Sequence, residues 1–220
     1  MRFNKVAIYG ATGLVGNYVL DELIHSSEVG QIISISRNPV GTGQQKVENY
    51  VCSAADFAAA IEHVKPDAVF CCLGTTRAKA GSKQAFALID RDIPVAIAKA
   101  SASVGVSTIA VVSSIGADAA SRNFYLRTKG EMERDVLGSG VPNVVIVRPS
   151  LLLGPRHDFR FGEKIGEWLL KVADRFLTGK WKKYKAIHAR SVAVAMLRLA
   201  LKTSGKHIVE SDQLVEIAKY

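Results

Sequence analysis

Apolar residues gather along this chain in two kinds of segment. Short, nearly unbroken runs rich in Val, Ile and Ala stop at Gly, Ser or Arg. Between them lie longer stretches that are apolar only at every third or fourth position. The first kind reads as buried strands and the second as amphipathic helices. A strand therefore begins at Lys5 and stops at Gly10, with a helix over 17–24. Strands follow at 31–36, 47–51, 67–74, 107–112 and 143–148. Helices fall at 54–63, at 82–104 with a soft point at Pro94, and at 124–137. Strands apolar on both faces, separated by helices, predict an α/β protein with one doubly wound parallel sheet covered on both sides. Residues 1–220 read as one domain, in which the less regular 151–220 form a small helical cap on the substrate side.

The first strand and helix are joined by Gly10-Ala11-Thr12-Gly13-Leu14-Val15-Gly16. Gly10 permits a tight turn, Gly13 a close approach of backbone to a pyrophosphate, and Gly16 close packing of helix on strand. The unpaired N–H groups that open the helix attract the phosphates. The sheet is thus Rossmann-like, and the turn predicts a bound dinucleotide. The second strand ends at Ser36-Arg37-Asn38, about 20 residues past the turn, where NAD enzymes place a carboxylate on the ribose 2′-OH. Arg37 stands there instead and suits a 2′-phosphate, so the expected cofactor is NADP(H).

Composition narrows the class. A chain of 220 residues that is 48% hydrophobic builds a full core. No run reaches the roughly 18 apolar residues of a membrane span, and the N-terminus leads straight into a strand, so no membrane partner is expected. Three cysteines, Cys52, Cys71 and Cys72, form neither a disulfide framework nor a metal site. A reducing, cytoplasmic location is the expectation. The net charge of +9 draws on Lys164, Lys171, Arg175 and the 179–185 segment, where Trp181 and Tyr184 interleave with lysines. Such a segment stacks nucleic-acid bases, or is a solvated loop whose rings cover the core edge. The second reading is preferred, and a third assigns the charge to drawing in an anionic cofactor or substrate.

Ligands of doubly wound sheets bind outside the carboxyl ends of the strands. Here those ends carry Leu73-Gly74-Thr75-Thr76, Ser113-Ser114 and Arg148-Pro149-Ser150. Leu73 and Gly74 lie along the adenosine side or the diphosphate edge. Tyr125 and Lys129, four apart on a helix, share one face. A phenol beside an ammonium is a proton donor for a carbonyl, and the lysine also reaches the nicotinamide ribose. Ser114 donates a hydrogen bond to the same substrate oxygen. The five histidines lack metal-ligand spacing, and His157 is a surface residue or a substrate contact.

These motifs, with the string CCLGTTRAKAG at 71–81, Ile89-Asp90-Arg91-Asp92 and the run from Ser113 to Asp118, resemble an atypical short-chain dehydrogenase/reductase, closest to the Tat-interacting protein (oxidoreductase) family. Arg148-Pro149, 166–169 and 195–197 extend the likeness over most of the chain. The resemblance implies an NADPH-binding Rossmann fold. It implies cofactor contacts from Thr12, Gly13, Leu14 and Val15 at the phosphates, Arg37 at the 2′-phosphate, and Leu73, Gly74, Tyr125, Lys129, Leu152 and Arg160. Two departures stand out: the interval from Ser114 to Tyr125 is short, and Asp90 replaces the asparagine of many extended relatives. The function read from all this is NADPH-dependent reduction of an unidentified carbonyl compound. The alternatives are an NADPH-binding redox sensor or scaffold acting through a protein partner or as a homo-oligomer, and a nucleotide-sugar epimerase or dehydratase. For the last, the residues after Leu151 are few.

Overall fold

The computed structural model describes residues 2–154 and 179–219. Seven parallel strands form the central sheet in the order β3-β2-β1-β4-β5-β6-β9. They are β1 (Phe3–Tyr9), β2 (Val29–Ser36), β3 (Val47–Val51), β4 (Ala68–Cys71), β5 (Thr108–Val112), β6 (Asn143–Arg148) and β9 (Lys206–Glu210). The chain leaves β1 toward β2 and returns to β4 on its other side, so the winding reverses between β1 and β4. That reversal opens the crevice where such sheets hold ligands. A small parallel pair, β7 (Leu152–Leu153) with β8 (Ile187–His188), stands apart from the sheet.

Alternation along the strands divides the core in two. Val6, Ile8, Phe70, Ala110, Val145 and Val147 face α1 (Leu14–His25) and α7 (Ala189–Lys202). Ala7, Tyr9, Val69, Cys71, Ile109, Val111 and Ile146 face α2 (Phe57–Val64), α5 (Ile93–Ser103) and α6 (Phe124–Leu137). The central strands are apolar on both sides because both sides are covered. Lys46 closes the C-terminus of α1: its ammonium donates to the carbonyls of Leu23, Ile24 and Ser26 at 2.9, 3.0 and 2.7 Å. A lysine there satisfies the last carbonyls and complements the helix dipole.

The doubly wound α/β architecture is the one read from the sequence. Two details differ. Part of the 151–220 stretch, read as a cap, is built into the sandwich itself: β9 is its seventh strand, and α7 covers α1. A short α3 (Arg77–Ala80) precedes the helix read over 82–104, which is itself divided into α4 (Lys83–Ala87), a π-turn over Leu88–Asp92, and α5. Pro94 has no N–H to offer the carbonyl four residues back, so the regular ladder breaks there and the turn widens. Among the described residues no helix is long and apolar enough to cross a membrane.

Candidate functional site

The glycine turn is set by backbone sterics. Gly10 has φ +75°, and a Cβ there would lie 2.6 Å from the Cys72 carbonyl oxygen. A Cβ on Gly16 would come within 2.0 Å of the Gly10 oxygen, so α1 reaches β1 as closely as a backbone can. Gly13 is exposed, and its N–H donates to the Gly10 carbonyl at 2.9 Å. No side chain caps α1, and its first turn holds no acidic residue. Thr12, Gly13 and Leu14 reach the surface at this end, while Val15 and Gly16 are buried. An open helix N-terminus behind a cradle that admits no Cβ fits a diphosphate.

Beside it, β1 and β2 run in register, with Tyr9 opposite Ile35. Arg37 therefore directly follows the end of β2, the strand next to the one that leads into the glycine turn. It is exposed and makes no hydrogen bond or ion pair among the described residues. The loop behind it is fixed: Ser36 Oγ donates to the Asn38 carbonyl at 2.6 Å, and the Asn49 side chain bonds the Val40 backbone in both directions. No carboxylate occupies the end of β2.

Across the crevice, α6 begins at Asn123, whose side chain accepts from the N–H groups of Tyr125 and Leu126. Gly130 lets it press on the loop after β5; a Cβ there would lie 2.1 Å from the Ala119 nitrogen. The Tyr125 ring packs against Phe86 with centroids 5.7 Å apart. One turn on, the Lys129 ammonium lies 2.8 Å from Asp90 Oδ1, with both side chains buried. The other carboxylate oxygen of Asp90 accepts the Thr75 N–H at 2.8 Å, just beyond β4. Gly74 adjoins the same carboxylate: its Cβ would stand 3.6 Å from Oδ1. Removing one partner from a buried ion pair leaves an uncompensated charge, at about 3–5 kcal/mol.

The two serines after β5 differ. The Ser113 N–H continues the ladder to the Val147 carbonyl at 2.8 Å. Alternation puts its side chain with Ile109 and Val111, on the side of α6. Its Oγ is buried and has no hydrogen-bond partner, an orphaned hydroxyl at the strand end. Ser114 Oγ, the hydroxyl expected to serve the site, donates to the Ile115 carbonyl at 3.4 Å. Arg148 anchors the region from below, donating to Glu133 and to the Ala117 carbonyl. The Glu133 carboxylate holds its guanidinium above the ordinary arginine range.

Of the residues read as cofactor contacts, Leu73 and Gly74 follow β4, Gly74 adjoining Asp90, and Leu152 lies in β7. Two residues on, Gly154 stands over α1, where its Cβ would be 2.8 Å from Leu14 Cδ1. Arg160 and His157 lie outside the described residues, as do Lys164, Lys171 and Arg175. The sequence singled out Asp90 within the motif Ile89-Asp90-Arg91-Asp92 and as a departure from relatives, but gave it no partner; a charged triplet, Asp90-Arg91-Asp92, inside the otherwise apolar stretch from Leu88 to Ala98 was the available signal. The rings of Trp181 and Tyr184 do not cover the core. Trp181 is 63% exposed, and the two rings lean on each other at 5.7 Å. Burial pushes the Cys71 thiol up to about 11 and raises Cys72 as well, which makes them packing residues rather than nucleophiles.

The family described as NAD(P)H-binding matches residues 10–200. The mitochondrial protein FMP52 of Candida albicans is 32% identical over 224 residues, covering 96% of each chain. That of Debaryomyces hansenii is 38% identical over 155 residues, covering 68% of this chain and 67% of its own. Among solved structures, a UDP-glucose 4-epimerase from Thermotoga maritima superposes with a TM-score of 0.68 at 16% identity, over 98% of this chain and 81% of that one. The cytoplasmic expectation is overturned by these relatives, which are named as mitochondrial. Free thiols argue only against an oxidising compartment and do not choose among reducing ones.

Proposed function

This chain belongs to the NAD(P)H-binding family, and on that premise we propose that it is an NADPH-dependent oxidoreductase of the short-chain dehydrogenase/reductase type that reduces a carbonyl compound. One observation carries the proposal. Tyr125 and Lys129, one turn apart on α6, meet Phe86 and Asp90, also one turn apart, beside the carboxyl end of β4. The two side chains are thereby held one turn apart on α6. The names of its relatives support a mitochondrial location, and the motif at 71–81 supports kinship with the Tat-interacting proteins.

In this reading Thr12, Gly13, Leu14 and Val15 hold the diphosphate with their backbone at the start of α1. Arg37, which has no carboxylate competing for it, pairs with the 2′-phosphate and selects NADP(H) over NAD(H). Leu73, Gly74, Leu152 and Arg160 complete the cofactor contacts. NADPH, when bound, supplies the hydride. Tyr125 donates its phenolic proton to the carbonyl oxygen of the substrate, and Lys129 favours the phenolate that remains. A hydroxyl of the Ser113–Ser114 pair donates to the same oxygen and orients the carbonyl.

The test is NADPH oxidation by the purified protein over a library of carbonyl compounds, repeated with Tyr125→Phe. The variant is expected to keep NADPH affinity and lose about 10²–10⁴-fold in turnover. Wild-type turnover by Tyr125→Phe would refute the mechanism. A second reading, an NADPH-binding sensor or scaffold without turnover, draws support from the commitment of Lys129 to Asp90. It prevails if no carbonyl is reduced while a protein partner binds only the NADPH-loaded form.

A further inference from the structure

The acids of α6 and of the π-turn before α5 all have partners. Asp90 holds Lys129 at 2.8 Å, Asp92 and Glu131 share Arg91 at 2.7 Å each, Glu133 holds Arg148 at 2.9 Å, and Asp135 holds Arg134 at 2.8 Å. Asp118, in the loop after β5, accepts the Ala120 N–H at 2.9 Å. The cations around Tyr125 are not matched in this way. Residues 75–89 bring Arg77, Lys79 and Lys83 and no acid, and residues 119–130 bring Arg122, Arg127 and Lys129 and no acid. Arg77, Lys83 and Arg122 are exposed and make no ion pair among the described residues. We propose that the carbonyl compound reduced beside Tyr125 is an anion, whose carboxylate or phosphate group is taken by this cluster, Lys83 and Arg122 foremost. The inference rests on the reductase reading above and names its substrate class.

A chain of rings joins the cluster to the phenol. Phe86 on α4 packs against both Phe124 and Tyr125, with centroids 5.7 Å apart in each case. The Lys83 ammonium lies over the Phe124 ring, 5.6 Å from its centroid, and the Arg127 guanidinium lies 6.0 Å from the same point. A ring face attracts a cation without cancelling its charge, as a carboxylate would. Arg127 is anchored further, donating to the Ser121 carbonyl at 3.1 Å and reaching Glu131 at 4.0 Å, so it serves the ring's setting. Arg122 stands just before Asn123, the N-cap of α6, and the first turn of that helix holds no acid. A cation at this end opposes the helix dipole, which favours negative charge there. Like charges gathered without acids also work against folding. A bound anion reverses both penalties. In the reductase reading the cofactor's phosphates fall to the glycine turn and Arg37, which leaves this cluster to the other reactant.

The test builds the carbonyl library as matched sets, each a neutral compound with its carboxylated and phosphorylated counterparts, such as benzaldehyde, 4-carboxybenzaldehyde and 4-formylphenyl phosphate. Wild type is expected to favour an anionic member of a set by about tenfold in kcat/KM, with the difference in KM. The preference should shrink as salt is added, since the screening length falls to about 3 Å at 1 M ionic strength. Lys83→Met and Arg122→Met should each lower the ratio of anionic to neutral kcat/KM, their combination should abolish the preference, and Lys83→Arg should keep it. NADPH affinity, followed by calorimetry, should be the same in all of them, which separates a lost substrate contact from a damaged cofactor site. Preference for either the carboxylate or the phosphate supports the proposal and tells which group the cluster takes. Equal kcat/KM for neutral and anionic members in wild type overturns it, and so does a preference that survives in the double variant. A wild type that binds NADPH yet reduces no member of any set overturns the reductase reading, and this inference with it.

Discussion

Gly16 and Lys129 mark the two sides of the crevice, and each is held by a different kind of force. At Gly16 the constraint is contact between backbones: a single added carbon would meet the Gly10 oxygen at 2.0 Å. At Lys129 it is a charge matched to Asp90 inside the protein, where both are nearly inaccessible. The first constraint is local, since strand, turn and helix are consecutive. The second is assembled from β4, the π-turn and α6, which meet only once the sheet has formed. A steric site tolerates no change of shape. An electrostatic one tolerates changes of shape that keep the charges paired, and fails when one charge is left alone.

That contrast can be broken in three places. Gly16→Ala should have the largest effect, because overpacking against backbone has no flexible side chain to absorb it. A loss of about 3 kcal/mol in urea unfolding is expected, and wild-type stability would show that the turn yields after all. Gly13→Val should leave folding nearly intact, since a Cβ at Gly13 stands 3.3 Å from the Gly10 oxygen, tight but not prohibitive. Its side chain would fill the phosphate position, so NADPH affinity should fall about 100-fold, or about 2.8 kcal/mol. Unchanged affinity in a folded Gly13→Val protein would remove the phosphate role of the turn. Arg37→Ala is the mildest change and sharpens the contrast within the cofactor itself. Wild type should prefer NADPH to NADH by at least about tenfold, or about 1.4 kcal/mol. The variant should lose that preference while binding NADH as before. Equal affinities of wild type for the two nucleotides would sink the assignment.

Legibility followed the same division. The turn from Gly10 to Gly16 could be read because its seven residues carry their whole meaning in their order. The limits of α6, 124–137, coincide with those read from helical spacing, helped by Asn123 at its start. β9 escaped because an edge strand needs little apolar surface: of its five residues only Val209 is buried. The π-turn was invisible for a different reason. Its wider step breaks helical periodicity for a single turn, too briefly to register among the apolar residues on either side. Asp90 shows the limit most clearly. Its identity was plain, but its partners lie on β4's far end and on α6, and no local pattern announces a contact assembled by topology.

The seat of α1 has a consequence for how the chain is made. The core face of α1, through Val15, Val19, Leu20 and Leu23, is covered by Val192, Met196 and Leu199 of α7. The two helices are also tied at their surface by Arg190 to Glu22, 168 residues apart. A ribosome adding about 5–20 residues per second takes on the order of ten to thirty seconds to cross that distance. Throughout that interval α1 has the early strands β1, β2 and β4 to pack against but lacks its cover from α7. The helix behind the glycine turn acquires this part of its backing only when residues 189–202 emerge and fold back.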